Sequence, residues 1–598
     1  MLFHFVAAAV GATPAVLSVE SSVQAVEPAE VISVYANRHQ QQLNTALASI
    51  EVLTRADILA RQVTDLPALL NQLAGVNVSR DGGRGQNSGL FVRGGETGHT
   101  LVLVDGVRTG SATLGLKSLS MIPVHSIERI EIIRGPRAAW YGSDAIAGVI
   151  AITTRRPQQL ELLATIGSYG QAELDAAFSA NSGPLRWSVH AGASRADGFD
   201  VRPDLDPDRD GYRQRYLKLA AEYQSDVGLW RWQTDVNSGV YQFDTAFGQQ
   251  DQSDTLLRQH QLSWQQQHDK LNQQLTISRN LDVDSPFGGG SRSPFHTARD
   301  EATYQLTADW LPGLTLLGGV NWYQEQVAKA DPQYQQDSRI NRALFAGASV
   351  QLQQWLIELA GRHDTITDYH AQNTWQLALG YQLNQHWLVR ASRGSAFKVP
   401  SFNELYWPQF GNPALKPQQS ISDELALRYQ RNATDLQLAV FQRDITNLIQ
   451  VGEVAENVQL ASIQGAELSL GWQYQALSQQ LAYSYLNTEN RQSGEDLVRR
   501  PKHSVNWRSA YQLADWSVFV TADYQSSTFQ GFDWNAGANY PRLGGFTLWG
   551  LGAQYQLRPT LNISLKLDNL TDKQYQTSIG YATAGANLAL RLHYVPAG

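Results

Sequence analysis

From about Gln158 onward, segments of roughly ten residues alternate apolar and polar positions between connections rich in Gly, Asn and Asp. Leu561, Ile563, Leu565 and Leu567 interleave with Asn562, Ser564, Lys566 and Asp568, and the same rhythm runs through 216–223, 387–392, 436–441 and 481–486. A period of two sends alternate side chains to opposite faces of a strand, so each segment has one apolar and one polar face. More than four hundred residues of this pattern without a composition break is too much for one soluble sandwich. A sheet of that size exposes unpaired edges unless it closes, and in lipid closure also satisfies every backbone group. The pattern therefore predicts a closed transmembrane barrel over residues 158–598, apolar outward and polar toward the lumen.

The stretch before the barrel has a different period. Residues 51–154 read as a compact α/β module. Thr54 and Asp57 form a candidate capping pair for a short helix, and Thr64, Asp65 and Pro67 open a second that presents Leu69, Leu70 and Leu73 and ends at Gly75. Strands are predicted at Val76–Val78, Leu90–Val92, Leu101–Val104 and Arg129–Ile133, with glycines 82, 83, 85, 94, 95 and 98 in exposed loops. At the chain start, residues 2–19 are apolar and alanine-rich and lead to a small-residue site at Val23-Gln24-Ala25, which predicts a signal peptide over 1–25.

Composition narrows the function. Hydrophobic residues make up 42% of the chain, yet no apolar run after the signal peptide reaches the eighteen or so residues of a membrane helix. With 24 Tyr and 16 Trp, the chain can supply interfacial aromatic girdles. A net charge of -8 argues against nucleic-acid binding, and zero cysteines exclude disulfides, thiolate metal sites and cysteine nucleophiles. No Gly-x-Ser-x-Gly elbow appears, and Gly82-Gly83-Arg84-Gly85 lacks the Lys-Ser/Thr of a phosphate loop. The chain is therefore not expected to be an enzyme.

Three motifs in order carry a family resemblance: Leu90-Phe91-Val92-Arg93-Gly94, Leu103-Val104-Asp105-Gly106-Val107-Arg108, and the run 127–152 containing Arg134-Gly135-Pro136-Arg137 and Trp140-Tyr141-Gly142-Ser143-Asp144. They resemble the plug domain of TonB-dependent outer-membrane receptors. Ser395–Pro400, Gly411–Pro417 and Leu567–Lys573 with Tyr575 are similar to barrel motifs of the same family, although the chain runs on past Tyr594 to Gly598. The resemblance implies an all-β transmembrane barrel of about 22 antiparallel strands with an N-terminal α/β plug filling its lumen. It implies a TonB-box segment over 26–44, a plug over 45–157, a barrel over 158–598, a monomer, and a location in the outer-membrane lipid. Glu30, Val31, Ile32, Ser33, Val34 and Tyr35 look like the TonB box, a β-prone run able to pair with the TonB energy-coupling protein by strand addition. Arg93 and Arg134 are expected as salt-bridge partners that hold the plug.

The cargo must be read from the loops. Six aspartates fall within the fourteen residues 197–210, and such a cluster is either a solvated acidic turn or a site for a hard cation such as calcium. Asp206, Asp208, Asp210 and Gly211 open like an EF-hand, but the twelfth position is Leu217 and the bidentate Glu is missing. A second acidic loop, Asp244 with Asp251 and Asp254, lies one hairpin later and favours the cation. This pair of loops is similar to the calcium-clamped loops of the family's cobalamin-transporting branch. Carried over by position, the calcium set is Asp200, Asp206, Asp208, Asp210, Phe243, Asp244 and Asp254, and the cobalamin set is Asn87, Gly89, Glu96, Thr113, Leu114, Thr245 and Arg499. The function implied is TonB-dependent import of cobalamin, with a siderophore or haem receptor as the alternative.

Overall fold

The period-two segments form one antiparallel barrel. In the computed structural model, which describes residues 33–34, 38–115, 119–244, 250–451, 454–533 and 538–597, twenty-two long strands among the described residues close on themselves. Closure pairs the first strand, Glu161–Gly167, with the last, Asn587–Tyr594, from Leu162 opposite Tyr594 to Gly167 opposite Ala589. This leaves no free edge in the ring. The signal peptide 1–25, Glu30, Val31, Ile32 and Tyr35 of the box, and Thr245 lie outside the described residues.

The two faces follow the alternation. Ile166, Leu174 and Leu344 point outward and are exposed, as lipid contact requires, while Gln214, Asn237, Gln259 and Asn321 are buried in the lumen wall. Near the short turns, Trp355 stands opposite Tyr381, Trp387 opposite Tyr429, and Trp516 opposite Tyr555, with ring centroids 4.7, 4.6 and 4.6 Å apart. These cross-strand pairs form part of an interfacial girdle. Long loops lie at the opposite, extracellular end. Among the described residues no helix is long and apolar enough to cross a membrane.

Inside the ring, a five-stranded sheet forms the plug, in the order Ser49–Thr54, Ile127–Arg134, Gly148–Thr154, Thr100–Val104 and Val107–Arg108. The helix Arg55–Arg61 starts on the expected capping box, with Asp57 N–H donating to the Thr54 hydroxyl and Thr54 N–H donating to the Asp57 carboxylate. The second helix, Leu66–Leu70, starts on Asp65 but stops well before Gly75. There the Asn71 side chain accepts from Val78 N–H at 2.9 Å and ties the chain to the next strand. Leu66, Leu69, Leu70 and Leu73 still pack with Ile130, Ile132 and Ile150 in one core.

The glycine loops are not exposed as expected. Gly82, Gly94 and Gly95 are buried: Val201 of an outer loop covers Gly82, Arg443 of the barrel wall approaches Gly95, and a Cβ on Gly94 would sit 2.9 Å from Leu486. The wall is also cut to fit. Gly347 leaves room for the Trp140 indole, where any side chain would overlap it.

Candidate functional site

The two acidic loops converge at the extracellular end. The first leaves strand Leu185–Phe199 and returns at Asp210–Ser225, where Phe199 pairs with Asp210 at the neck; the second follows strand Gly228–Gln242. Carboxylate oxygens of Asp200, Asp210 and Asp244 lie within 4.8 Å of one another, and so do those of Asp206, Asp208 and Asp244. Asp244 thus belongs to both groups. Its Oδ2 is buried and has no hydrogen-bond partner. The nearby cation Arg202 is engaged by Asp204, with both contacts at 3.2 Å, and does not neutralise the cluster.

Electrostatics follow from that geometry. Burial, followed by repulsion from Asp210, Asp208, Asp206 and Asp200, pushes the Asp244 carboxyl up to about 7. Asp208 is also raised, first by burial and then by Asp206, Asp251 and Asp200. A carboxylate with an orphaned oxygen, crowded by four others, is a donor set that fits a hard divalent cation with oxygen ligands.

The remaining two members of the expected calcium set bring no carboxylate into these two groups. Asp254 lies on strand Gln252–His268 and its carboxylate pairs with Arg292 from the next hairpin. Phe243 can offer only a backbone carbonyl, and its N–H donates to Asp251 O at 2.8 Å. A residue with no sequence signal joins the loops instead: the Tyr581 hydroxyl donates to Asp244 O at 3.3 Å and its ring lies under Arg202, 4.9 Å away.

The expected ligand residues spread over the plug apex and barrel rim. Asn87 is exposed at the tip of the hairpin between strands Val76–Arg80 and Ser88–Val92, and Gly89 stands opposite Ser79 within it. Glu96 is partly exposed, and its carboxyl is raised by burial against the pull of Arg500 and Lys398. Leu114 is 43% exposed, whereas neighbouring Thr113 is fully buried, with its hydroxyl 2.7 Å from that of Ser111 and its carbonyl accepting from Asn403 N–H. Thr113 is therefore a plug-to-barrel contact. Arg499 joins the rim to the apical hairpin, its guanidinium 3.8 Å from the Asp81 carboxylate.

Below this face, buried ion pairs hold the plug. Arg93 donates to Glu467 at 2.9 Å through Nε and Nη2, pairs with Glu424 through Nη1, and lies 4.4 Å over the Phe441 ring. Arg134 pairs with Glu51 and comes within 3.9 Å of Glu467, while Arg137 lies 3.5 Å from Glu358. Four strands of the wall are linked in this way to two turns of the plug, one at Arg93 and one at Arg134–Arg137.

Comparison with known proteins gives a consistent picture. Residues 159–570 match the description "TonB dependent receptor-like, beta-barrel", and residues 42–149 match "TonB-dependent Receptor Plug Domain". The chain is 34% identical over 589 residues to a protein named vitamin B12 transporter BtuB from Photobacterium profundum, with 95% of each chain covered. A protein of the same name from Vibrio cholerae is 32% identical over 598 residues, covering 95% of this chain and 96% of that one. Among solved structures, a mutant ferric enterobactin receptor from Pseudomonas aeruginosa superposes with a TM-score of 0.80 at 18% identity, covering 91% of this chain and 99% of that one. The siderophore receptor PirA from Acinetobacter baumannii gives 0.78 at 17% identity, with 91% and 98% covered. At those identities the structures speak for the fold alone.

Proposed function

We propose that this chain, which belongs to the TonB-dependent receptor family of outer-membrane transporters, imports cobalamin, with calcium ordering its extracellular loops. It is a transporter and not an enzyme. The observation that carries the cargo is the likeness over 95% of the chain to proteins named vitamin B12 transporters. The siderophore receptors share only the fold.

Calcium is supported by the orphaned Asp244 oxygen among five carboxylates. Asp200, Asp206, Asp208, Asp210 and Asp244 would hold the ion. When bound, it supplies the positive charge that lets these carboxylates ionise side by side and fastens one loop to the other. Cobalamin would then rest on the plug apex at Asn87, Gly89, Glu96 and Leu114, flanked by Arg499 and Thr245. The box, Glu30 to Tyr35, would recruit TonB by strand addition, and a single chain would suffice for one pathway.

Titration calorimetry of cyanocobalamin into the purified receptor tests this, once with calcium and once with a chelator. Binding heat that strengthens with calcium is expected. No heat under either condition would transfer the cargo to the siderophore alternative.

A further inference from the structure

The outward face of the barrel is not the same all round. Trp375, Tyr485, Tyr524 and Trp549 are exposed in the outer halves of their strands, where an interfacial aromatic girdle belongs. On one side the same level is built differently. Strands Leu185–Phe199, Asp210–Ser225 and Gln252–His268 carry exposed Arg195, Arg213, Arg215 and Arg258 there, and no aromatic faces outward in that half of the three strands. The alternation fixes their direction: Gln214 and Tyr216, on either side of Arg215, are buried toward the lumen, while Leu217, next on the arginine row, is exposed.

Their height follows from the strand itself. Tyr223 of the periplasmic girdle stands opposite Trp230, and Arg215 lies eight residues further along the strand. At about 3.3 Å per residue and a tilt near 40°, this is roughly 20 Å along the membrane normal, with Arg213 roughly 5 Å beyond. The apolar band is about 25 Å tall, so the arginines stand at its outer edge, where lipid headgroups begin.

Pairing sets this patch apart. Two other outward arginines face an acid directly across the ladder, Arg279 opposite Asp300 at 3.6 Å and Arg393 opposite Asp423 at 3.5 Å. Arg195 instead stands directly opposite Arg213. Opposed side chains have Cβ atoms about 4.5–5.5 Å apart, and like charges so placed repel. Among the described residues none of the four arginines pairs with a carboxylate. Asp254, on the same face, is held by Arg292. A row of unpaired guanidinium groups beside hydrocarbon is unfavourable unless an anion lies among them, and their planar forks match phosphate oxygens.

We infer that Arg195, Arg213, Arg215 and Arg258 form a docking site for the phosphate groups of an outer-leaflet lipid. Arg258 is two strands beyond Arg215, roughly 10 Å to the side, so one lipid with two separated phosphates fits the patch better than one with a single phosphate. Its acyl chains would lie on the apolar surface below, where Ala191 stands opposite Leu217 and the small side chain leaves a shallow groove. The site is independent of which cargo the receptor imports.

The test uses the full-length receptor, stripped of lipid in a non-ionic detergent and titrated with diphosphoryl lipid A while native mass spectrometry counts the bound molecules. Saturable binding is expected, and the combined Arg195→Gln, Arg213→Gln and Arg215→Gln variant should bind about tenfold more weakly or worse. Arg342→Gln, an exposed outward arginine of strand Ser338–Leu352, is the control and should change affinity less than about twofold. Thermal melting reports the fold of each variant; if the triple variant melts early, Arg213→Gln alone, which removes the opposed pair, takes its place. Lipid A stripped of both phosphates should bind weakly, and millimolar inorganic phosphate should not displace the intact lipid. Equal binding of the stripped lipid, undiminished binding by the variant, an equal loss in the control or full displacement by inorganic phosphate would each overturn the site.

Discussion

Arg93 and Glu467 meet in a two-pronged contact, both N–H···O distances 2.9 Å, across the boundary between plug and barrel. Both side chains are almost wholly buried, so neither can turn to water if its partner is lost. Breaking such a pair leaves an uncompensated charge, at a cost of about 3–5 kcal/mol. Charge reversal, Arg93→Glu, is expected to loosen the plug by that amount, because Glu424 is then also left facing a like charge. Hydrogen exchange of the plug amides measures it, and unchanged protection would count against a holding role. Arg134→Glu should act in the same direction and more weakly, since its 3.9 Å approach to Glu467 is looser.

A second prediction concerns Asp244, which belongs to both carboxylate groups. Asp244→Asn removes the charge shared by the two and is expected to weaken calcium binding by about tenfold or more. Cyanocobalamin binding should lose its calcium dependence in the same variant. Asp254→Asn, whose native carboxylate is already paired with Arg292, should leave calcium affinity nearly unchanged. Calorimetry with calcium alone separates the two, and equal losses would contradict the grouping described above.

The pH dependence follows from the raised Asp244 carboxyl. Without an ion, the folded loops hold a proton at Asp244 up to about pH 7, whereas an unfolded chain releases it in the ordinary carboxylate range. The folded state binds more protons in that window, so ion-free loop stability falls as pH rises from about 4 to 7. Calcium requires the ionised form, so its affinity should rise through the same window and its binding should release protons near pH 6. Calorimetry in two buffers of different ionisation heat detects that release. A calcium affinity that is flat between pH 5 and 7.5 would rule out titration of Asp244 on binding.

Much of the architecture was legible because it is written in local pattern. The period of two marks the strands, and Thr54 with Asp57 marks a helix start by a rule that needs no tertiary information. Where the barrel wall intervenes, local rules fail. Gly94 looks like an exposed loop residue until the wall closes over it, Gly82 until Val201 of the acidic loop covers it, and Thr113 looks available until Asn403 is found against it. At the acidic site, charge density drew attention to the first loop but left a solvated turn open. Only the second acidic loop, one hairpin later, pointed to a shared cation, and the structure brings carboxylates of both loops together. Tyr581, more than three hundred residues away in the chain, carried no signal, because its role depends on the barrel bringing its loop beside Asp244.

The coupling segment yields the last prediction. Ser33–Val34 pairs with Gln41–Gln42 through a ladder of only two residues, and a two-residue ladder is little protection against exchange for another strand. A partner that adds its own strand to 30–35 competes for the same backbone groups, so docking would release Gln41–Gln42 from Ser33–Val34. Deletion of residues 30–35 is expected to abolish energised uptake of labelled cyanocobalamin while leaving its affinity at the outer face within about twofold, since the extracellular loops lie at the other end of the barrel. Val34→Pro should do nearly the same with one atom group changed, by removing the N–H a partner strand needs. Uptake that survives the deletion would mean that the plug is opened by something other than a pull on this segment.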